Sequence, residues 1–509
     1  MRPDTARSRS EGTRRRLGQT NAVHQRHCRN RDNRCRKTCL ASPRSRAHAD
    51  GPAATKDRRQ GKRTAIMTIE TTNVLLAAPG EARDGIVRLF TKISWRLLPF
   101  LMLCYVVAFL DRINIGFAQL QMKQTLPFSD ATYGIGAGIF FVGYMLFEVP
   151  SNLLLERIGV RKTLLRIMFA WGIVVAAMAF VQTPLQFYIG RVLLGVFEAG
   201  FLPGVILYLT YWYPSGRRGQ VMATFMSATA IAPLLAGPLC GATLKYLDGI
   251  EGLHGWQWLF ISQGVPASIL GIASYFYLQD GPEDGDWLTA KEKSLLRLQH
   301  EQDHPEVETS SHSGFWQMAT DPKIYGLILV DILLLGANYT MVFSIPSMIK
   351  SWGISDLLHV GLLSTLPQIA GVIGMILVGR HSDRHRERRW HYALCVSVAA
   401  LGILLMIFAK GNIAFAIPGL TIAGLGFISA VPLFVTTCTE YLSKASIAGG
   451  VAFIAGLANL GPAAAPPATI FIATVTGSPV YSLYLVVVLY LLSGAVLLVT
   501  LRGAPSRGR

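Results

Sequence analysis

From Trp95 onward, apolar stretches of about 20 residues recur, at 95–118, 132–155, 163–181, 186–212, 219–244, 256–278, 324–348, 357–379, 391–409, 412–436, 445–473 and 480–501. Each is long enough to cross a hydrocarbon core of roughly 30 Å as an α-helix. Barrel strands would be half that length and alternate in polarity, so an outer-membrane barrel is excluded. Charged residues make up only 15% of the chain, against about 25% in soluble domains. One long polar loop, 279–323, separates the sixth stretch from the seventh, and WLTAKEKSLLRLQHEQ within it reads as a short amphipathic helix. The expected fold is all-α and integral to the membrane. Twelve transmembrane helices form two pseudo-symmetric six-helix bundles, 95–278 and 324–501, with a tail at 502–509.

The formal net charge of +18 suggests a nucleic-acid binder until its distribution is considered. Residues 1–66 hold 19 Lys/Arg and 5 Asp/Glu, whereas residues 67–509 hold 29 and 25. The first 66 residues also lack all of the chain's 50 aromatic residues (9 Trp, 17 Tyr, 24 Phe), so they have too little apolar surface to offset the entropy of ordering and read as disordered. Cys28, Cys35 and Cys39, near His24 and His27, do not match the paired-ligand spacing of a zinc site. A basic arm or a transit peptide is an alternative reading of the segment. The favoured expectation is that translation starts at Met67, with 67–94 as a cytoplasmic leader. No nucleic-acid partner and no metal are expected.

Orientation follows from the short loops. On the face shared with both termini they carry Arg157, Arg161, Lys162, Arg166, Arg217, Arg218, Arg380, Arg384, Arg386, Arg388, Arg389 and Lys444. The opposite loops carry Lys123, Lys245, Lys350 and Lys410. This bias puts both termini in the cytoplasm. Cys104, Cys240, Cys395 and Cys438 fall in or at the ends of spans and read as core residues.

The halves repeat a motif. LLERIGVRK (Glu156, Arg157, Arg161, Lys162) follows the second span and GRHSDRHRERR (Asp383, Arg384, Arg388, Arg389) follows the eighth. An acid followed by clustered bases at equivalent helix ends is expected to pair across the cytoplasmic seam and hold one gate state. The alternative is that the bases merely obey the positive-inside rule.

These motifs, the twelve spans and the central loop resemble the major facilitator superfamily. FLDRINIGFA (109–118), GYMLFEVPSNLLLERIG (143–159), GRVLLGVFEAGFLPGVILYLTYWYP (190–214), HGWQWLFISQGVPA (254–267), GRHSDRHRERRWH (379–391) and GLANLGP (456–462) resemble its anion:cation symporter family of phthalate-, tartrate-, hydroxyphenylacetate- and sugar-acid-type permeases.

Ionisable groups at span depth are costly and point to function. Arg112 in the first span and Arg191 in the fourth both fall about 22 Å from the cytoplasmic boundary, counted at 1.5 Å per residue. Guanidinium forks suit a carboxylate. Glu198, on the face of Arg191 but deeper, reads as a proton site, with Asp111 as a second. The structural alternative is a cross-helix pair such as Asp111 with Arg191. The family resemblance implies the same roles for these four residues, and it adds Tyr144 as a substrate contact and Asn459 as a residue lining the carboxy-terminal side. The alternative for Asn459 is an interhelical hydrogen bond. Glu148 either joins Tyr144 in the cavity or caps backbone freed by Pro150. Asp331 matches no motif and is unassigned. YLTYWY (208–213) reads as an interfacial aromatic belt rather than a ligand platform.

No phosphate-cradling loop, metal-ligand cluster or nucleophile triad stands in the spans, which argues against an enzyme. The expectation is an inner-membrane, monomeric importer of small organic carboxylates in the lipid bilayer. It is coupled to protons, needs no cofactor and works by alternating access. An exporter or exchanger on the same fold is the alternative, and a membrane sensor or enzyme is the alternative from a different class.

Overall fold

The computed structural model describes residues 79–303, 320–442 and 447–502. The expectations for residues 1–66, the Met67 start, Lys444 and the tail beyond Arg502 lie outside the described residues.

Among the described residues, twelve helical spans are long and apolar enough to cross a membrane: Asp84–Thr125, Asp130–Ile158, Val160–Phe180, Pro184–Trp212, Ser215–Tyr246, Gly255–Tyr277, Pro322–Ser351, Leu357–His385, Arg389–Phe408, Ile413–Tyr441, Gly449–Thr476 and Pro479–Thr500. An even number of spans puts the first and last ends on one face, here called the terminal face. The first helix begins at Pro79, well ahead of the apolar stretch that marks it in the sequence.

Even-numbered spans start at the opposite face, where side chains satisfy the orphan amides of the first turn. Ser129 accepts from Thr132 N, Thr183 forms a capping box with Gln186, and Asp356, Asn412 and Ser478 cap the eighth, tenth and twelfth spans. Several spans are broken. The first is interrupted at Asn114, the fourth at Ala199–Gly200 and the eleventh at Asn459.

The two six-helix halves each have their own buried core, and they exchange one side chain across the seam. Leu120 of the first span packs into the carboxy-terminal core, while Phe343 of the seventh packs into the amino-terminal one. Close backbone approach marks the seam toward the opposite face. A Cβ on Gly237 would stand 2.2 Å from Gly361 O, and one on Gly138 would stand 2.3 Å from Ala463 O. Polar contacts join the halves in the same region. Gln119 Nε2 donates to Phe343 O (2.9 Å), Lys350 Nζ to Leu120 O (3.0 Å) and Lys245 Nζ to Asp356 Oδ2 (2.5 Å). The seam is therefore closed on the face opposite the termini.

The central loop forms a helix, Ala290–Asp303, where the sequence placed an amphipathic one. It docks on the terminal face through Leu296, which is buried, and through the ion pair of Lys92 with Glu292. Trp287, just ahead of it, stacks on Trp212 with ring centroids 5.4 Å apart. This corrects the reading of YLTYWY as an interfacial belt. Tyr208, Trp212 and Tyr213 are buried, and only Tyr211 is clearly exposed. The docked loop covers that end of the fourth span, so its aromatics pack against protein. Cys104, Cys240, Cys395 and Cys438 are free and buried, as core residues should be.

Candidate functional site

The second and fourth spans meet backbone to backbone. A Cβ on Gly195 would stand 2.1 Å from Phe140 O, and one on Gly143 would stand 2.6 Å from Val192 O. This contact places Arg191 against a stripe of the second span spaced four residues apart, Gly136, Phe140 and Tyr144. Arg191 is fully buried, its Nε donates to Gly136 O (2.9 Å), and its guanidinium lies 5.1 Å from the centroid of Phe140. Both terminal nitrogens, Nη1 and Nη2, are buried and have no hydrogen-bond partner among the described residues.

Arg112 reaches the same stripe from the first span. Its guanidinium carbon lies 5.5 Å from the ring of Phe140 and 5.2 Å from that of Tyr144. One nitrogen donates to Glu198 Oε1, and another donates to Tyr339 Oη (3.2 Å) in the seventh span. Glu198 closes the helical segment Pro184–Glu198. Gly200, two residues on, takes φ +89°, where a Cβ would also stand 2.5 Å from Ser151 Oγ, so the break needs glycine. The Oε2 of Glu198 is buried without a partner.

Arg112, Arg191, Glu198 and Tyr144 thus converge on one locus, with both guanidinium groups near the ring of Phe140. Asp111 does not join them. It turns into the interior of the amino-terminal half, where Trp171 Nε1 of the third span donates to its Oδ2 (2.8 Å). The adjacent Asn114 donates to Gln263 Oε1 (2.8 Å). The alternative pairing of Asp111 with Arg191 is replaced by this contact. Asn459 sits at the break of the eleventh span and donates to Ala455 O and Gly456 O of its own helix (3.2 and 3.3 Å). These bonds are intrahelical, so the reading of Asn459 as an interhelical tie is not what the structure contains. Glu148 is half-buried and makes no hydrogen bond to the backbone freed by Pro150.

The motif charges pair within each half rather than across the seam. Arg161 donates to Tyr275 O from Nε and Nη2 (2.9 and 2.6 Å), and its backbone amide donates to Asp280 Oδ1 (2.9 Å). Glu156, Arg157 and Lys162 are exposed. In the other half, Arg388 bridges Asp383 (2.6 Å) and Glu440 (3.2 Å), Arg389 donates to Leu501 O (2.9 Å), and Arg384 is exposed. The two carboxylates beside Arg388 hold its guanidinium above its usual range despite partial burial. With the halves joined at the opposite face, each motif staples its own half at the terminal face.

Phe140, Tyr339 and Trp171 were not singled out from the sequence. The four-residue stripe through Tyr144 is a signal for Phe140. Tyr339 and Trp171 carry none, because their contacts depend on how distant spans pack.

The sequence profile described as Major Facilitator Superfamily matches residues 101–458. The chain belongs to the major facilitator superfamily. This facilitator is 42% identical to a putative tartrate transporter of Agrobacterium vitis, over 83% of this chain and 94% of the relative. It is also 42% identical to the putative metabolite transport protein NicT of Pseudomonas putida, over 74% and 86%. A quinolone resistance transporter of Acinetobacter baumannii is 36% identical over 77% and 90%. These relatives agree with the resemblance to the anion:cation symporter family. Among solved structures, a D-xylose–proton symporter superposes with a TM-score of 0.64 at 14% identity, covering 82% of this chain and 99% of its own. A bacterial homologue of the human lysosomal transporter Spinster, in an inward-facing and unoccupied conformation, superposes with a TM-score of 0.66 at 18% identity, covering 80% and 98%. The facilitator is accordingly a multi-pass membrane transport protein and not an enzyme.

Proposed function

We propose that this facilitator imports small organic carboxylates across a bacterial inner membrane by proton symport, with both termini in the cytoplasm. The observation that carries the reading is Arg191. A fully buried guanidinium with two unpartnered terminal nitrogens is a costly arrangement unless an anion completes it. The fork matches a carboxylate, and Phe140 and Tyr144 offer ring faces beside it.

Glu198 supplies the coupling. In the present state it holds Arg112. A substrate carboxylate that takes Arg112 displaces Glu198, which then binds a proton rather than remain a buried charge without a partner. Release of the proton returns Glu198 to Arg112 and expels the anion. Moving an uncompensated anion inward opposes the membrane potential by about 2.3 kcal/mol per charge per 100 mV, so co-transport with a proton removes that barrier. Under the cytoplasmic orientation, the closed opposite face corresponds to an inward-facing state.

Uptake into proteoliposomes, across a panel of aromatic, tartrate-like hydroxy and sugar acids, tests the reading. Arg191→Ala should abolish uptake, and Glu198→Gln should remove its dependence on an imposed pH gradient. Parental uptake by Arg191→Ala would overturn the site. The quinolone resistance relative favours a second reading, export. In that case an inward proton gradient would drive loss of anion from the vesicles instead.

A further inference from the structure

Asp331 belongs neither to the central charge set nor to either gate motif. It lies nine residues after Pro322 in the seventh span, about 14 Å along the helix from its terminal-face end. Its side chain turns into the core of the carboxy-terminal half and is 7% exposed. No Lys, Arg or His pairs with it among the described residues, and neither carboxyl oxygen has a hydrogen-bond partner there. Among the described residues, Tyr392 of the ninth span and Cys438 of the tenth are near enough to feel its charge.

Other buried polar side chains of the carboxy-terminal half are hydrogen-bonded. Tyr392 Oη bonds Ser493 Oγ (3.1 Å), Tyr490 Oη donates to Asn338 Oδ1 (2.8 Å), and Thr437 Oγ1 donates to Leu433 O (2.7 Å). A carboxyl kept for structure would be bonded as these are, because a buried polar group left unmade costs more than an apolar replacement. An ionised carboxylate at this depth is worse still. A bound proton removes that cost, because the neutral acid carries no charge to desolvate.

We propose that Asp331 is a second proton-binding site of this transporter, housed inside the carboxy-terminal half and serving the terminal face. The step is reversible binding: the carboxylate takes one proton from water at the terminal face, becomes the neutral acid, and is a carboxylate again when the proton leaves. The site has a counterpart in the other half. Asp111 of the first span bonds Trp171 of the third, and Asp331 of the seventh lies near enough to Tyr392 of the ninth to act on it electrostatically, so the two acids occupy equivalent helices of the two halves. Asp111 lies toward the opposite face and is fully buried, and Asp331 lies toward the terminal face.

The coupling role of Asp331 rests on the proton-linked reading above, but its protonation is tested separately. The full chain in lipid is titrated by pH-difference infrared spectroscopy in the carboxylic C=O region, which needs no substrate. A band that disappears as pH rises, is missing in Asp331→Asn and returns shifted in Asp331→Glu is the expected result. Bands unchanged by Asp331→Asn would overturn the proposal. In proteoliposomes, Asp331→Asn should reduce the dependence of uptake on the pH of the terminal-face compartment severalfold, with Arg191-dependent exchange retained. A pH profile superimposable on the parent would overturn the coupling role even where the band is present. Loss of uptake in Arg191→Ala does not bear on the infrared result, so the two readings fail separately.

Discussion

Arg112 of the first span donates to Tyr339 Oη of the seventh, 3.2 Å away, and so ties the two halves at the centre of the molecule. The same guanidinium holds Glu198. One residue therefore senses the proposed proton site and the seam together, and whatever displaces Glu198 also loosens a bond between the halves.

Tyr339→Phe removes this tie and keeps the ring that packs against Phe141, whose centroid is 4.7 Å away. A hydrogen bond to a charged but partly exposed donor contributes about 1–1.5 kcal/mol, so the balance between the two facing states should shift about five- to tenfold. The rate at which a thiol reagent modifies a cysteine placed at Leu358, on the closed seam, should rise by that factor. An unchanged rate would mean that Tyr339 does not hold this state.

Gly195 sets the second and fourth spans at backbone contact, and it has no room for a methyl group. A Cβ there would stand 2.1 Å from Phe140 O and 2.8 Å from Tyr144 N. Gly195→Ala must push the helices apart, at about 1–3 kcal/mol, and it moves Phe140 and Arg191 out of register. Uptake should fall at least tenfold with a lowered Tm. Gly85→Ala, where a Cβ meets nothing within 4 Å, should leave both unchanged.

The twelve spans were legible because hydrocarbon demands continuous apolar length, and that demand is written residue by residue. Arg112, Arg191 and Glu198 were legible for the converse reason, since charge at span depth stands out. Their partners were not. Helical periodicity says that Asp111 and Arg112 diverge by about 100°, but it does not say that one meets Trp171 and the other Glu198. The pairing with Glu198 depends on how the fourth span packs, through Gly195 and the break at Gly200. The gate motifs show the same limit, because the repeat was visible while the partners of Arg161 and Arg388 depended on which face of the seam is closed.

That closed face is held by Lys245 and Asp356, on the fifth span and at the start of the eighth. The hydrogen bond from Lys245, together with the amides of Leu358 and His359, holds the Asp356 carboxyl below its usual value. A depressed carboxylate contributes its stabilisation above the ordinary value and loses it only as pH falls through the lowered one. Acidity of about pH 5 to 7 on that side should therefore leave the lock intact. Asp356→Asn should weaken it at every pH, by about two- to fivefold in the accessibility of the Leu358→Cys probe, as suits a half-exposed pair. Exchanging the two charges, Lys245→Asp with Asp356→Lys, should restore much of the difference. A lock that opens between pH 7 and 5 in the parent would contradict the assignment.

The dock of the central loop is a separate element with its own test. Trp287 stacks on Trp212 with planes 14° apart, donates from Nε1 to Gln279 Oε1 (2.8 Å), and lies under the guanidinium of Arg96 at 5.2 Å. Trp212 is fully buried, so Trp287→Ala uncovers an aromatic ring and leaves Arg96 over Tyr277 alone, at 4.7 Å. The lost stacking and burial should cost about 2–4 kcal/mol locally. Because none of these groups touches Arg112, Arg191 or Glu198, the loss should appear as faster hydrogen exchange across Ala290–Asp303, a lower Tm and a reduced transport maximum, with the KM for the anion unchanged. A raised KM with normal exchange in that helix would place the loop in the substrate path instead.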